Sequence, residues 1–430
     1  MRPWGGRRKF GTNNALKYRI IQVIPASFTR FLLALFFAPP LPAAPRLVFA
    51  VTSDLVFDQR MQRICSSLAA AGYRVLLVGR QRPASLPLPA GRGYEQHRLG
   101  GWFERGKLFY LEYNLRLLLF LLGQRAAAWC ACDLDTALPV WLRARLGGQP
   151  FVYDAHELFT EVPEVVRRPA VQRVWRGVEN FIVPRARLAY TVGPALARLL
   201  EQRHGRSFSV VRNVSWLDET HPLPAAPAQA LPGAYILYQG VLNVGRGLEA
   251  LLDAMPAVRG RLVVCGEGDL SSELRARAAR LGLLASGSGP AGKVEFRGFV
   301  PPPQLREVTR GAAVGVMLLE NIGLSYYYSL ANKFFDYLHA GIPQVLIDFP
   351  EYRALNDEFG VAELVADLDP ARLAAVLNAL LAPAVPGQMS RYQLLAENCR
   401  RARRQLSWQR EERELLRLWA GVVSPQFDAV

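Results

Sequence analysis

From Arg46 onward the chain alternates short apolar runs with amphipathic stretches, and it does so in two series. The first runs through RLVFAV, a helical stretch from Asp58 to Ala71, YRVLLVG, a long apolar helix from Lys107 to Gly123, AAWCAC, PFVYDAHE, LAYTV and SFSVVRN. The second opens at YILYQG and continues through RLVVCG, KVEFRG, AVGVMLL and PQVLI. Near-continuous apolar strands alternating with helices imply parallel sheets covered on both faces. A Pro- and Ala-rich stretch over 216–233 reads as the linker between them. The expected fold class is α/β, with one Rossmann-like doubly wound unit over 46–215 and a second over 234–405. Ligands of such sheets bind beyond the carboxyl ends of the strands, so the chemistry belongs in the cleft between the units.

The segment from Gly323 to Arg353, GLSYYYSLANKFFDYLHAGIPQVLIDFPEYR, carries most of the functional information. It reads as a turn, a helix beginning near Ser329, a Gly-Ile-Pro break and a strand over Gln344 to Ile347. With Ser329 as N-cap, the next amides are free donors at a positive helix end, a ready site for a phosphate. Lys333 adds a mobile positive charge one turn in. Asp336, on the same helical face as Asn332, offers a carboxylate to hydroxyl groups. The alternative reading is a well-capped core helix, and Phe334, Phe335, Tyr337 and Leu338 supply the apolar surface for it.

Three strand ends add chemical groups. After YILYQG, Gly240 and Gly245 allow close backbone approach, and Arg246 presents a fixed fork of donors to phosphate oxygens; an unliganded surface arginine is the alternative. His156, closing PFVYDAHE, is able to donate to a sugar hydroxyl or phosphate, or simply to hold its acidic neighbours. Glu157, Glu161 and Glu164 line the loop that follows. Asp133, Asp135 and Thr136 end another strand, where they bind an acceptor or fix the loop. Asp58 and Arg60 open a helix, as an internal pair or as acceptor contacts.

These residues resemble the donor-binding motifs of glycosyltransferase family 4, retaining enzymes of the GT-B fold with two facing Rossmann-like domains. The resemblance covers about residues 46 to 420. In that family two glutamates seven residues apart precede an Ala/Gly-x-Pro-Val turn. Asp336 falls on the second, whose role is to hold the ribose; the first falls on Tyr328, a departure from the pattern. Arg246 takes the position of the lysine that contacts the diphosphate, whereas Val241 replaces the arginine. The turn Gly266-Glu267-Gly268-Asp269 falls where the family lies against the nucleotide, and Phe299 where it borders the base, a core phenylalanine being the alternative. His156 takes a position near the donor sugar, and the helix over 406–430 is expected to cross back to the first domain.

The implied activity is transfer of a sugar from a nucleotide-diphosphate donor to a glycan or lipid-linked acceptor hydroxyl, with retained configuration. His156, Arg246 and Lys333 are the expected catalytic groups. Gly240, Gly245, Gly266, Gly268, Phe299, Ser329, Asn332 and Asp336 are expected to bind the donor, and Asp58, Asp135 and Glu157 the acceptor. Neither a metal nor another cofactor is expected. The alternatives are an epimerase of the same fold and a degenerate binding protein.

Charge bears on partners. The 430 residues hold 52 basic and 36 acidic side chains, a net +16. No nucleic-acid motif accompanies this excess. No acid occurs before Asp54, while Arg2, Arg7, Arg8, Lys9, Lys17, Arg19, Arg30 and Arg46 do, and Arg400, Arg401, Arg403 and Arg404 form a second cluster. These favour a cytoplasmic enzyme associated with an anionic membrane face, ordinary solvated charge being the alternative. The stretch 1–45 reads as a basic extension, its apolar run Phe31 to Ala38 being too short to span a bilayer. Lys107 to Gly123 fits a buried packing helix better than one lying on a membrane. Five scattered cysteines without a Cys-x-x-Cys pair suit a reducing compartment.

Overall fold

Two wholly parallel sheets organise the protein, seen in a computed structural model that describes residues 44–220, 223, 233–284 and 292–423. All but the last two residues of the extension expected over 1–45, and most of the linker, therefore lie outside the described residues. The first sheet contains β1 (Arg46–Ala50), β2 (Arg74–Arg80), β3 (Glu95–Leu99), β4 (Ala128–Cys132), β5 (Phe151–Ala155), β6 (Leu188–Thr191) and β7 (Ser209–Val210). Their order is β3-β2-β1-β4-β5-β6-β7. The second contains β8 (Tyr235–Gln239), β9 (Leu262–Cys265), β10 (Val294–Gly298), β11 (Ala312–Met317), β12 (Gln344–Ile347) and β13 (Ala362–Val365), in the order β10-β9-β8-β11-β12-β13. Each sheet reverses its direction of growth once, between β1 and β4 and between β8 and β11. Crevices at such switch points are where doubly wound sheets bind ligands.

Central strands such as FVYDA and YILYQ are buried along their whole length, which explains their unbroken apolar character. Strand β3, EQHRL, is a half-exposed polar edge with no apolar alternation to announce it. The first unit carries helices α1 (Gln59–Ala70), α2 (Gly106–Leu122), α3 (Ala137–Gly147), α4 (Pro163–Val166), α5 (Pro169–Ile182) and α6 (Pro194–His204). The second carries α7 (Leu248–Ala254), α8 (Ser271–Arg280), α9 (Pro302–Arg310), α10 (Leu324–Tyr327), α11 (Asn332–Ala340), α12 (Pro350–Phe359), α13 (Pro370–Leu380) and α14 (Arg391–Ala402), and α15 (Trp408–Val423) follows.

The last helix belongs physically to the first sheet. Trp408, Leu415 and Trp419 are buried in the cluster that also holds Phe49, Ile64 and Leu77. The Trp419 ring lies 5.0 Å from that of Phe49, and the Trp408 indole N–H donates to Ser67 Oγ over 2.9 Å.

Two further contacts join the units. Glu351, on α12 and almost wholly buried, accepts backbone N–H bonds from Ala195 (2.6 Å) and Leu196 (3.2 Å). These are orphan donors in the first turn of α6, where a carboxylate also complements the helix dipole. Tyr328 packs against the core cluster of the first unit.

Candidate functional site

The loops at the two switch points face each other. On the first unit, Thr52 follows β1 and donates to Asp135 Oδ2, beyond β4, over 2.5 Å, bridging the switch point. Asp133 is the sole non-glycine residue with positive φ among the described residues (φ 61). Such backbone costs about 1–3 kcal/mol and persists only where neighbours enforce it. Here its amide bonds to the Asp154 carbonyl (2.9 Å) and its Oδ1 accepts the His156 N–H (2.8 Å).

Behind this loop lies an ion-pair chain that no local pattern announces. Arg60 is buried, donating to Asp154 Oδ1 at 2.9 Å and to the Val211 carbonyl at 2.9 Å. Asp154 Oδ2 lies 3.1 Å from His156 Nε2. Burial opposes the imidazolium, but the adjacent Asp154 and Asp133 outweigh it and raise the His156 pKa well above its ordinary value. Burial opposes the Asp154 carboxylate in turn, but the Arg60 and His156 charges outweigh it and lower its pKa. Nε2 is committed to Asp154, while Nδ1 lies 3.7 Å from Asp133 Oδ2. The imidazole therefore holds its acidic neighbours as a charged group.

Protein surroundings push the Asp133 carboxyl up to about 8 and the Asp135 carboxyl up to about 6. Glu157 reaches solvent at the cleft wall yet is flanked by protein, which raises its pKa; it lies against Ser325 of α10 and in the field of Arg246. That contact brings the acidic wall of the first unit to the basic wall of the second. Cys132, Asp154 and His156 also place donor atoms within 4.8 Å of one another, a grouping whose proximity the sequence hides. Within this set Asp154 is already paired with the buried Arg60 guanidinium.

On the second unit, Lys333 Nζ lies 4.0 Å from the Tyr238 ring centre, and the Arg246 guanidinium 4.8 Å from that of Tyr326. Burial first, and then the charge of Arg246, lower the Lys333 pKa to about 7. The two cations from distant segments are thus brought together, and neither forms an ion pair among the described residues. Arg246 Nε is buried without a hydrogen-bond partner. Gly240 makes room for the lysine: a Cβ there would stand 3.0 Å from Nζ. Gly266 answers a different need, since its Cβ would overlap the Gly240 carbonyl oxygen at 1.8 Å, and Gly268 likewise admits the Leu242 carbonyl. These two glycines let neighbouring loops pack together. Gly245 faces Ile322 and Tyr326.

Several expectations need correction. Ser329 is not the N-cap: the helix starts at Asn332, with Ala331 as N-cap and no side-chain cap. A separate short helix, α10, takes the preceding residues, so Ser329 Oγ turns back to the Tyr326 carbonyl (2.8 Å) while the Tyr352 hydroxyl takes the Ala331 N–H (3.2 Å). The first turn, which opens with Asn332 and Lys333, carries no side-chain cap. Phe299 is 65% exposed, which removes the core reading. Asp58 caps α1, accepting from Met61 N (3.0 Å) and Ser53 Oγ (2.5 Å), which gives its carboxylate a structural duty. Asp336 lies at the seam between the units, accepting from Ser215 Oγ and Gln239 Nε2, each over 3.0 Å. Glu161 is engaged by Arg176 at 2.8 Å. In the C-terminal arginine cluster, Arg401 pairs with Glu397 and Arg403 donates to the Asp218 carbonyl, so these side chains have internal partners.

Solved structures share this architecture. HepE of Anabaena, crystallised with UDP and glucose, superposes with a TM-score of 0.67 at 15% identity, covering 88% of this chain and all of that one. Sucrose-phosphate synthase of Thermosynechococcus elongatus gives 0.69 at 17% identity, covering 88% and 98% respectively. The lipopolysaccharide glycosyltransferase WaaG gives 0.64 at 14%, covering 88% and 100%. No curated protein matches the chain in sequence. The fold is that of the GT-B glycosyltransferases, two doubly wound units around a cleft.

Two family models settle the affiliation: "Glycosyltransferase Family 4" matches residues 59–214, and "Glycosyl transferases group 1" matches residues 233–383. The chain belongs to the group 1, family 4 glycosyltransferases and is a transferase.

Proposed function

We propose that the protein transfers a sugar from a nucleotide-diphosphate donor to a hydroxyl of a glycan or lipid-linked acceptor, with retention of configuration, at the cytoplasmic side of the cell. The observation that carries this reading is the pair Arg246 and Lys333, two cations lacking carboxylate partners at the carboxyl ends of the second sheet. Cleavage of the anomeric C–O bond leaves its electron pair on the diphosphate. Fixed cations and the amides of Asn332 and Lys333 stabilise that developing charge without reorganising. No metal ion is required in this scheme.

The exposed Phe299 ring, beyond β10, offers the base a stacking surface. Asp336 holds the ribose by exchanging one of its two present hydrogen bonds. His156 presents Nδ1–H to the sugar or its phosphate, and Asp135 and Glu157 face the acceptor. At Tyr328, where the family carries its first glutamate, an aromatic ring packs against the first unit, so contact with the sugar hydroxyls passes to Ser329, Asn332 or Tyr328 itself.

HepE binds UDP and UDP-glucose, which makes these the first ligands to test. Calorimetric titration with UDP, GDP and UDP-glucose, with and without EDTA, is expected to show metal-independent binding of one nucleotide. Absence of any heat or thermal shift with every nucleotide sinks the donor assignment.

A further inference from the structure

Helix α2 has two apolar faces. Phe109, Tyr113, Leu117 and Leu121 point inward and are buried. Leu108, Leu111, Leu115, Leu119 and Leu122, spaced three or four residues apart, form a second stripe that is 47–68% exposed. From Leu108 to Leu122 the stripe is about 21 Å long. The expectation of a simple packing helix accounts for only the first face. Scattered exposed leucines are unremarkable, but a continuous row extended by neighbouring apolar groups marks an interaction surface.

The row is extended on both sides. Trp102, 84% exposed, and Phe103 precede the helix. Val171, Val174 and Phe181 stand exposed on α5. Helix α5 is locked to α2 by the Tyr110–Trp175 ring contact at 5.3 Å and to α3 by Trp141–Phe181 at 4.9 Å.

Charge indicates what covers this surface. The exposed charged residues of α2, α3 and α5 are Lys107, Arg145, Arg173 and Arg176, all basic. The two acids on these helices are withdrawn. Glu179 is buried. Glu112 accepts from the backbone N–H groups of Trp102 and Phe103 and from Arg116 Nε at 2.9–3.0 Å. The same bonds fasten the Trp102 turn beside the leucine row, where the Arg116 guanidinium lies 4.7 Å from the indole ring. Beside the Trp102–Phe103 turn the exposed Glu104 stands next to exposed Arg105 and 3.7 Å from Arg80, so the face as a whole keeps an excess of basic charge. Apolar rows with an aromatic edge and such an excess match an interface of acyl chains beneath anionic headgroups. No helix among the described residues is long and apolar enough to cross a membrane, so the contact is one of lying on the surface.

We propose that the outer face of α2, with the exposed faces of α3 and α5 and the Trp102–Phe103 turn, docks the protein on an anionic phospholipid bilayer. Docking there sets the acidic wall of the cleft one helix away from the headgroups: on its inner side α2 touches the site, through the Asn114 bond to the Asp135 carbonyl (2.8 Å). This surface does not depend on the proposed sugar transfer.

The test is flotation of the full chain with phosphatidylcholine vesicles and with vesicles containing phosphatidylglycerol. Binding is expected to require phosphatidylglycerol and to weaken as salt is raised. Leu111→Ser, Leu115→Ser and Leu119→Ser together are expected to reduce it at least about tenfold, with thermal midpoint and nucleotide binding unchanged. Acyl-brominated lipids are expected to quench tryptophan emission in the native chain and less in Trp102→Phe. Failure of the native chain to float, or unchanged flotation of the triple variant, overturns the proposal. So does a dimer that the triple variant dissolves in a protein without affinity for vesicles, which would make the face a self-interface. Nucleotide binding that persists in any of these cases leaves the transfer reading standing.

Discussion

Lys333 Nζ lies 4.0 Å from the centre of the Tyr238 ring, held by an aromatic face in place of a carboxylate. A cation–π contact in a desolvated place contributes about 2 kcal/mol or more, yet leaves the ammonium hydrogens free. The lysine is thereby positioned without a carboxylate counter-charge, which an incoming diphosphate can supply.

Lys333→Ala and Arg246→Ala are each expected to weaken nucleotide binding about ten- to a hundredfold, corresponding to the ~1.5–3 kcal/mol of a hydrogen bond to a charged group. The double substitution should cost more than the sum, because removing either cation alone relieves the other of its repulsion and so offsets part of each single loss. Titration calorimetry of the two single variants and the double variant measures both effects.

The lysine also sets a pH dependence. With its pKa at about 7 in the empty protein, it is charged below that pH and increasingly neutral above. A bound diphosphate favours the ammonium and raises the pKa. Affinity is therefore complete below about pH 7 and falls as pH rises through 7 toward the pKa of the complex. Above pH 7, binding draws up to one proton from the buffer. Binding heats measured in buffers of different ionisation enthalpy should reveal this uptake, and Lys333→Ala should abolish it.

Arg60 answers a fully buried carboxylate. Arg60→Met leaves Asp154 with only His156, and an uncompensated buried charge costs about 3–5 kcal/mol. Urea denaturation is expected to show that loss. A variant as stable as the native chain would mean that the imidazolium alone supports Asp154.

Glu351 links the units through two amides of α6. Glu351→Ala is expected to cost about 1–2 kcal/mol, the worth of a helix cap, whereas Glu351→Gln keeps an acceptor oxygen and should cost less than about 1 kcal/mol. Equal losses in thermal unfolding would assign the effect to packing instead of capping.

The parallel sheets were legible because buried strands must be apolar throughout, and Gln344–Ile347 stands where its run of apolar residues puts it. Arg246 and Lys333 could be related from sequence because both follow strands whose carboxyl ends share one edge. Side-chain competition was not legible. Nothing local shows that Tyr352, twenty-one residues on, takes the amide that Ser329 was expected to neighbour, nor that Arg60 meets Asp154 across 94 residues. Polar β3 lacks the alternation that betrays a strand. The second apolar face of α2 was hidden by the first, because a helix rich in leucine all round looks the same whether one side or both are covered.

The packing of Trp419 on Phe49 bears on how the polypeptide matures. The opening strand leaves the ribosome about 370 residues before its tryptophan partner, an interval on the order of tens of seconds at ordinary translation speeds. Throughout that time the nascent amino-terminal half keeps an oily flank that only the final helix seals. A premature stop near the 3′ end of the message would therefore damage the half of the protein synthesised first.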